Sequence, residues 1–206
     1  MDKLTGKIFY EKEILSVENF YRFFDRKKII TFVPFNFLEK LALEMSNAGA
    51  GLIGNYEMCS FRTEGIGTFK PNEKTKPFSG KKKILSYEEE LKLEMECAAE
   101  SLNKVIDAIL RNHPYEEPAY EIYDFKKRDK KNIGITINLL NKIKFKEIIV
   151  RTNSGIECNK TDINHKVNKI AMTSCIINDN IINSARFINC GCLIKVLKNN
   201  FKLFKI

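Results

Sequence analysis

The stretch Tyr87-Glu88-Glu89-Glu90-Leu91-Lys92-Leu93-Glu94-Met95-Glu96-Cys97-Ala98 decides how the chain is read. Leu91, Leu93, Met95 and Cys97 alternate strictly with Glu90, Lys92, Glu94 and Glu96. Glu, Leu and Lys favour a helix by intrinsic propensity. A period of two, however, puts all four apolar groups on one face only in an extended chain. The reading is a half-buried antiparallel strand, polar on its other side.

Working outward from this strand, Ser101 is expected to cap a helix whose stripe is Leu102, Val105, Ile106, Ile109 and Leu110. Pro114 ends the helix, because the residue before a proline is pushed out of the helical region. Tyr120, Ile122 and Phe125 then belong to another strand. On the N-terminal side, Ile29-Ile30-Thr31-Phe32-Val33 is a β-branched and aromatic run stopped by Pro34. Asn36 can cap a helix with the stripe Phe37, Leu38, Leu41, Ala42, Met45 and Ala48. Gly49 follows where a left-handed cap is wanted. Residues 52–61 read as a strand, and residues 63–80, with Pro71 and Pro77, as a protruding loop. The order β-α-β-β-α-β is the split βαβ or ferredoxin-like plan, an α+β fold with both helices on one face of an antiparallel sheet.

The flanks carry weaker signals. Ile14, Val17, Phe20, Tyr21 and Phe24 recur at helical spacing and predict a short amphipathic helix within residues 1–26. The run Lys126-Lys127-Arg128 with Lys130-Lys131 reads as a charged linker. Beyond it, residues 145–151 read as a strand and 153–165 as polar and turn-rich. A strand over 169–174, a helix over 178–187 and a strand over 190–197 follow. This suggests a partial α/β segment. The expected domains are thus 1–26, a helical remnant; 27–125, the ferredoxin-like unit; and 126–206, the partial α/β segment. The last has few strong stripes and is expected to lean on the first unit or on a partner chain.

Composition bounds the function. The chain has 206 residues and a net charge of +9, carried by 35 Lys and Arg against 26 Asp and Glu. The excess is spread along the chain with no nucleic-acid reading module beside it, so nucleic-acid binding is not expected. No apolar run approaches the ~20 residues that cross a bilayer. The N-terminus lacks a signal-peptide pattern, so no membrane partner and a cytoplasmic location are expected. Cys59, Cys97, Cys158, Cys175, Cys190 and Cys192 have no framework spacing and read as reduced thiols. The close pair Cys190 and Cys192 lies in an apolar run and reads as buried.

Two sequences of residues resemble a known family. One runs Ala48-Gly49-Ala50-Gly51-Leu52-Ile53-Gly54-Asn55-Tyr56, then Cys59-Ser60-Phe61 and Gly65-Ile66-Gly67-Thr68-Phe69. The other is His113-Pro114-Tyr115-Glu116-Glu117-Pro118-Ala119-Tyr120. With Ile30-Thr31-Phe32-Val33-Pro34, they make residues 28–125 similar to the YqfO-type insertion domain of the dinuclear-metal family called NGG-interacting factor three, or GTP cyclohydrolase type-two homologues. The resemblance implies a PII/CutA-like ferredoxin fold. It extends in part to CutA proteins, which carry a similar histidine-proline-tyrosine-glutamate turn. Residues 168–194 resemble the start of the family's second lobe, without its glycine-rich turn.

The resemblance also implies a metal centre of several histidines and carboxylates. This chain has only His113 and His165, and it looks like a shortened member of the family. The implied function is a non-catalytic small-molecule-binding or assembly module, forming a homo-oligomer, with no cofactor expected. The alternative is a metal-dependent hydrolase, which would take divalent zinc, iron or manganese. The ligand-binding candidates are Gly51, Gly54, Asn55, Tyr56, Cys59, Ser60, Gly65 and Gly67 in the first sequence. His113, Pro114, Tyr115, Glu116 and Glu117 are those in the second. Each has a plainer reading: the glycines as cap and bend residues, His113 as the residue that fixes the turn at a helix end, Cys59 as a thiol with no base nearby.

Overall fold

The computed structural model describes residues 5–153, 163–198 and 200–206. The chain divides into two compact units, Asp25–Lys126 and a second made of Met1–Phe24 with Lys127–Ile206. The strands are β1 (Ile14–Pro34), β2 (Ser60–Phe69), β3 (Ser86–Ala98), β4 (Tyr120–Lys144), β5 (Lys166–Thr173), β6 (Cys192–Val196) and β7 (Phe201–Lys205). The helices are α1 (Leu38–Asn47), α2 (Leu102–Asn112), α3 (Phe145–Thr152) and α4 (Asp179–Phe187).

In the unit Asp25–Lys126 the strand order is β2-β3-β1-β4. β3 is antiparallel to both β1 and β2. The pairs Lys27–Asp124 and Asp25–Lys126 show β1 and β4 running antiparallel, since one number falls as the other rises. This is the ferredoxin-like arrangement. Ile29 stands opposite Met95, Thr31 opposite Leu93 and Val33 opposite Leu91. Those odd-numbered positions share a face, and α1 and α2 cover it. Leu38, Leu41, Ala42 and Met45 of α1, with Val105 and Ile109 of α2, close a core on Ile29, Val33, Leu93, Met95 and Cys97. Each large apolar side chain buried there contributes about 1.5–3 kcal/mol. The even-numbered positions face away and carry charge: Glu94 holds both Lys28 (2.9 Å) and Lys92 (2.7 Å), and Glu96 holds Arg26 (3.2 Å).

The joints of this unit differ from the expectation in detail. α1 begins after a 3₁₀ turn, Phe35–Phe37, and neither Asn36 nor Ser101 caps a helix through its side chain. Residues 52–59 are not a strand but a compact turn with isolated bridges. The glycines there break the ladder, so β2 starts at Ser60. The expected loop over 63–80 is therefore strand up to Phe69.

In the other unit the strand order is β1-β4-β5-β6-β7. β5 and β6 are parallel, whereas β4–β5 and β6–β7 are antiparallel. Three sequence expectations fail here. Residues 14–24 are strand rather than helix, and residues 126–131 are the interior of β4 rather than a linker. The two failures have one cause, because β1 and β4 are partners. The charges of the apparent linker are satisfied across the strands: Arg22 pairs with Asp129 (3.2 Å), and the Arg128 guanidinium lies 4.3 Å from the Tyr21 ring centre. Residues 145–151 form helix α3, not a strand. Phe145, Ile148 and Thr152 are its buried residues, at spacings of one and two helical turns. The expectations for Cys158 and for most of 153–165 lie outside the described residues. Cys190 and Cys192 are buried, as the apolar run implied. No helix of the described residues is long and apolar enough to cross a membrane.

Candidate functional site

The histidine of the second sequence organises its surroundings through both ring nitrogens. His113 is the residue after α2, and its amide closes the helix by donating to Ile109 O (2.9 Å). The Tyr115 amide N–H donates to His113 Nδ1 (3.1 Å). Nδ1 is therefore the acceptor, and the proton sits on Nε2, which donates to Phe32 O (2.8 Å). The ring is 8% exposed. Burial holds its pKa below the ordinary value near 6.5, ahead of the opposing pull of the Phe32 carbonyl and Glu90. The result is a neutral imidazole that staples the 113–119 turn to the end of β1. Thr31 Oγ1 adds a second staple by donating to Ala119 O (2.9 Å).

The staple sets the position of Tyr115. Its ring lies 4.8 Å from the His113 ring and 5.7 Å from Phe78, which in turn meets Phe37 edge-on at 5.6 Å. The Tyr115 hydroxyl is buried beside the Glu90 carboxylate, and among the described residues it completes no hydrogen bond of ordinary geometry. Burial, and then the Glu90 carboxylate beside it, push its phenol far above the usual range, so the proton stays on. A buried polar group without a partner costs about 1–3 kcal/mol.

Tyr115 borders a cavity of about 660 Å³, a size that suits small ligands. Its floor follows from strand register. Phe32, Lys92 and Thr63 stand in one row across β1, β3 and β2, and Glu90 stands opposite Gly65 in the next. These positions face away from the helices. The 70–79 segment and the 115–119 turn supply the walls, with Pro71, Pro77 and Phe78 from the first. Glu116 ties the two together, accepting from the Lys76 amide (2.7 Å). Ser79 donates to Glu88 (2.5 Å) and holds the segment to β3.

Of the candidates from sequence, Gly65, Gly67, Tyr115, Glu116 and Glu117 line this cavity. His113 and Pro114 do not line it, and His113 holds the turn that does. Gly51, Gly54, Asn55, Tyr56, Cys59 and Ser60 do not line it. They form the turn before β2, where Ile53 and Tyr56 exchange backbone hydrogen bonds of 2.9 and 3.1 Å. Gly51 has a structural duty: with φ of +74°, its amide donates to Glu96 O (2.7 Å) and its carbonyl accepts from Cys59 N (2.9 Å). Sequence reasoning missed Phe32, Glu90 and Lys92 as site residues. The signal available was two glycines inside a strand, which mark close approach by another group.

Both nitrogens of His113 are committed to the backbone. Among the described residues no three His, Cys, Asp or Glu side chains converge as a metal site. The described residues therefore do not fit a dinuclear centre.

The chain is 47% identical over 96 residues to a GTP cyclohydrolase 1 type 2 homolog of Halalkalibacterium halodurans, covering 47% of this chain and 26% of that protein. It is 35% identical over 151 residues to the Bacillus subtilis GTP cyclohydrolase 1 type 2 homolog, covering 71% of this chain and 40% of that one. This chain is a relative of the GTP cyclohydrolase 1 type 2 homologues. It spans less than half the length of these two relatives. No family model matches. Among solved structures, a Bacillus cereus protein related to NIF3 is similar with a TM-score of 0.46 and 27% identity, over 91% of this chain and 50% of that one. The PII-like protein CutA from Nostoc gives 0.36 and 18%, over 48% of this chain and 80% of that one.

Proposed function

We propose that the unit Asp25–Lys126 is a non-catalytic binding module for a small molecule, held in the cavity between β2, the 70–79 segment and the 115–119 turn. The observation that carries this reading is the cavity of about 660 Å³, bordered by a buried Tyr115 hydroxyl that faces the Glu90 carboxylate without a hydrogen bond of ordinary geometry. A folded chain rarely leaves such a group unpaired unless something else supplies the bond. The staple through His113 supports the reading, since it fixes the ring that presents the hydroxyl. Metal-dependent hydrolysis, the alternative that the sequence resemblance implied, finds no set of converging ligands among the described residues.

The test is a ligand screen by thermal shift against wild type and a cavity-filling variant, Gly65→Leu. Nothing lies within 4 Å of a Cβ built at Gly65, so the added side chain enters open space. A ligand at a hundred times its Kd raises the stability by about 2.7 kcal/mol. Compounds that stabilise the wild type and not the variant support the module. A screen in which every shift survives in Gly65→Leu removes the reading.

Self-association belongs to the same proposal. β2 is the outer strand of this unit and exposes Phe61 (67%) and Ile66 (70%), and an open strand edge is a template for pairing with a second copy. Light scattering showing a monomer at micromolar concentration would reject that part alone.

A further inference from the structure

We infer that the cavity takes a planar apolar ring carrying a protonated amine, with the Glu90 carboxylate as its counter-ion. This rests on the reading of the cavity as a ligand site and adds the chemistry of the occupant.

Two glycines of β2 open the space. A Cβ at Gly67 would stand 2.2 Å from Glu90 Oε2, so the carboxylate lies directly over the bare strand. Gly65, opposite Glu90 in the ladder, has nothing above it within 4 Å. The pair of glycines thus clears a space whose edge is one carboxylate. Any larger residue at 67 would displace that carboxylate.

The charges of the lining then select the sign of the ligand. Lys92 is committed to Glu94 at 2.7 Å, and Glu116 to the Lys76 amide at 2.7 Å. Glu90 has no ion pair among the described residues. Glu64, Glu90, Glu116 and Glu117 line the cavity against Lys70 and Lys92 alone. The cavity is therefore acidic in a chain whose net charge is +9. A nucleotide or other phosphate ligand would meet four carboxylates against two lysines, one of them paired with Glu94, which is the wrong sign. A cation is drawn in by the local field.

The walls select the shape. Phe32, Phe69, Phe78 and Tyr115 present ring surfaces beside the carboxylate. Flat apolar rings stack on such faces, and an ammonium group gains further attraction from them. The Tyr115 hydroxyl, beside Glu90, completes the set: its O–H faces the carboxylate and its oxygen is left to accept from the same ammonium.

The test uses three probes with one ring and three charges: 2-naphthylmethylamine, 2-naphthylmethanol and 2-naphthoate. Binding is measured by calorimetry at low salt on wild type, Glu90→Gln and Gly65→Leu, with circular dichroism confirming each fold. The amine is expected to bind the wild type about ten- to a hundredfold more tightly than the alcohol, the worth of one charge-assisted bond. The naphthoate should bind most weakly. Glu90→Gln should erase the preference for the amine and leave the alcohol unchanged, and Gly65→Leu should abolish binding of all three. If the alcohol or the naphthoate matches the amine, and that binding is lost in Gly65→Leu, the cavity stands and the amine inference falls. If no probe shows binding that depends on Gly65, both fall together.

Discussion

Replacing His113 with alanine tests whether the imidazole is a structural staple. The substitution removes the donor to Phe32 O and the acceptor for Tyr115 N–H, at 2.8 and 3.1 Å, from a ring that is 8% exposed. Each backbone group left behind costs about 1–3 kcal/mol where water cannot reach it. The lost contact with the Tyr115 ring adds about 0.5–1.5 kcal/mol. Partial relaxation of the turn lets some water in, so about 2–4 kcal/mol is expected for the unit that holds it. The assay is urea unfolding followed by tyrosine emission, which is unobscured because the chain has no tryptophan. With a slope of about 2 kcal/mol per molar urea, the midpoint should fall by about 1–2 M.

The same substitution has a signature in pH. Protonation would place a second proton on Nδ1, where the Tyr115 amide already points. Burial disfavours the charged ring and depresses the folded pKa below 6.5. A depressed group contributes stability that is present above its unfolded value and is lost as pH falls through the folded one. The wild type should lose stability below about pH 6.5, and His113→Ala should not show that share of the loss. The chain's two histidines make the titration readable by nuclear magnetic resonance: the signal missing in the variant belongs to His113 and should titrate below 6.5. A cost under about 1 kcal/mol, or a His113 signal titrating at or above 6.5, would refute the staple.

Two further outcomes are expected. Gly51→Ala should cost more than Gly54→Ala in thermal melts, although both glycines have positive φ, +74° and +61°. A methyl at Gly51 would meet Met95 Cε at 2.6 Å and Cys59 N at 2.9 Å, whereas one at Gly54 meets nothing within 4 Å; about 2 kcal/mol or more against about 1 kcal/mol is the expected split. Arg151→Met should destabilise the other unit by about 1–3 kcal/mol at pH 7, because Arg151 holds Glu13 through two bonds of 2.7 and 2.8 Å. The Arg151 hydrogen bond holds the Glu13 carboxyl below its usual range near 4.5. That stability is present above pH 4.5 and lost as pH falls through the lower folded value, so the variant and the wild type should converge in acid; an undiminished gap at pH 2 would contradict the pairing.

What was legible in the sequence was local and one-sided. β3, α1 and α2 each repeat their apolar residues at the period of the structure they form, and each buries that stripe against the same core. The stretch 14–24 was misread because Ile14, Val17, Phe20, Tyr21 and Phe24 fit a helical period by position, while the information that makes them a strand lies more than a hundred residues away. Asn19 accepts from Asn132 and Ser16 from Asn138. The charges of 126–131 looked like a linker for the same reason: Asp129 acquires its meaning only beside Arg22. Residues 145–151 failed differently. Ile148, Ile149 and Val150 suggest a strand by residue type, yet Val150 is 71% exposed while Ile148 is buried. Burial spacing, not β-branching, decides that segment.

The site was half legible for a related reason. His113, Pro114 and Tyr115 stand out as an unusual run, and the structure gives His113 and Tyr115 tasks in one turn. Glu90 does not stand out, because an alternating strand explains it fully as a solvent-side residue. The alternation says which face a residue takes; it is silent about what later covers that face. In this chain the 70–79 segment and the 115–119 turn come over the polar face of β3, and they convert an ordinary outward glutamate into the charged edge of a cavity. The trace of that event in the sequence is Gly65-Ile66-Gly67, two residues of poor strand propensity inside a ten-residue strand. A strand gives up packing at two positions on the same face when something must sit there. At Gly67 that is the Glu90 carboxylate; at Gly65 it is the open space over which the amine-bearing ring is expected.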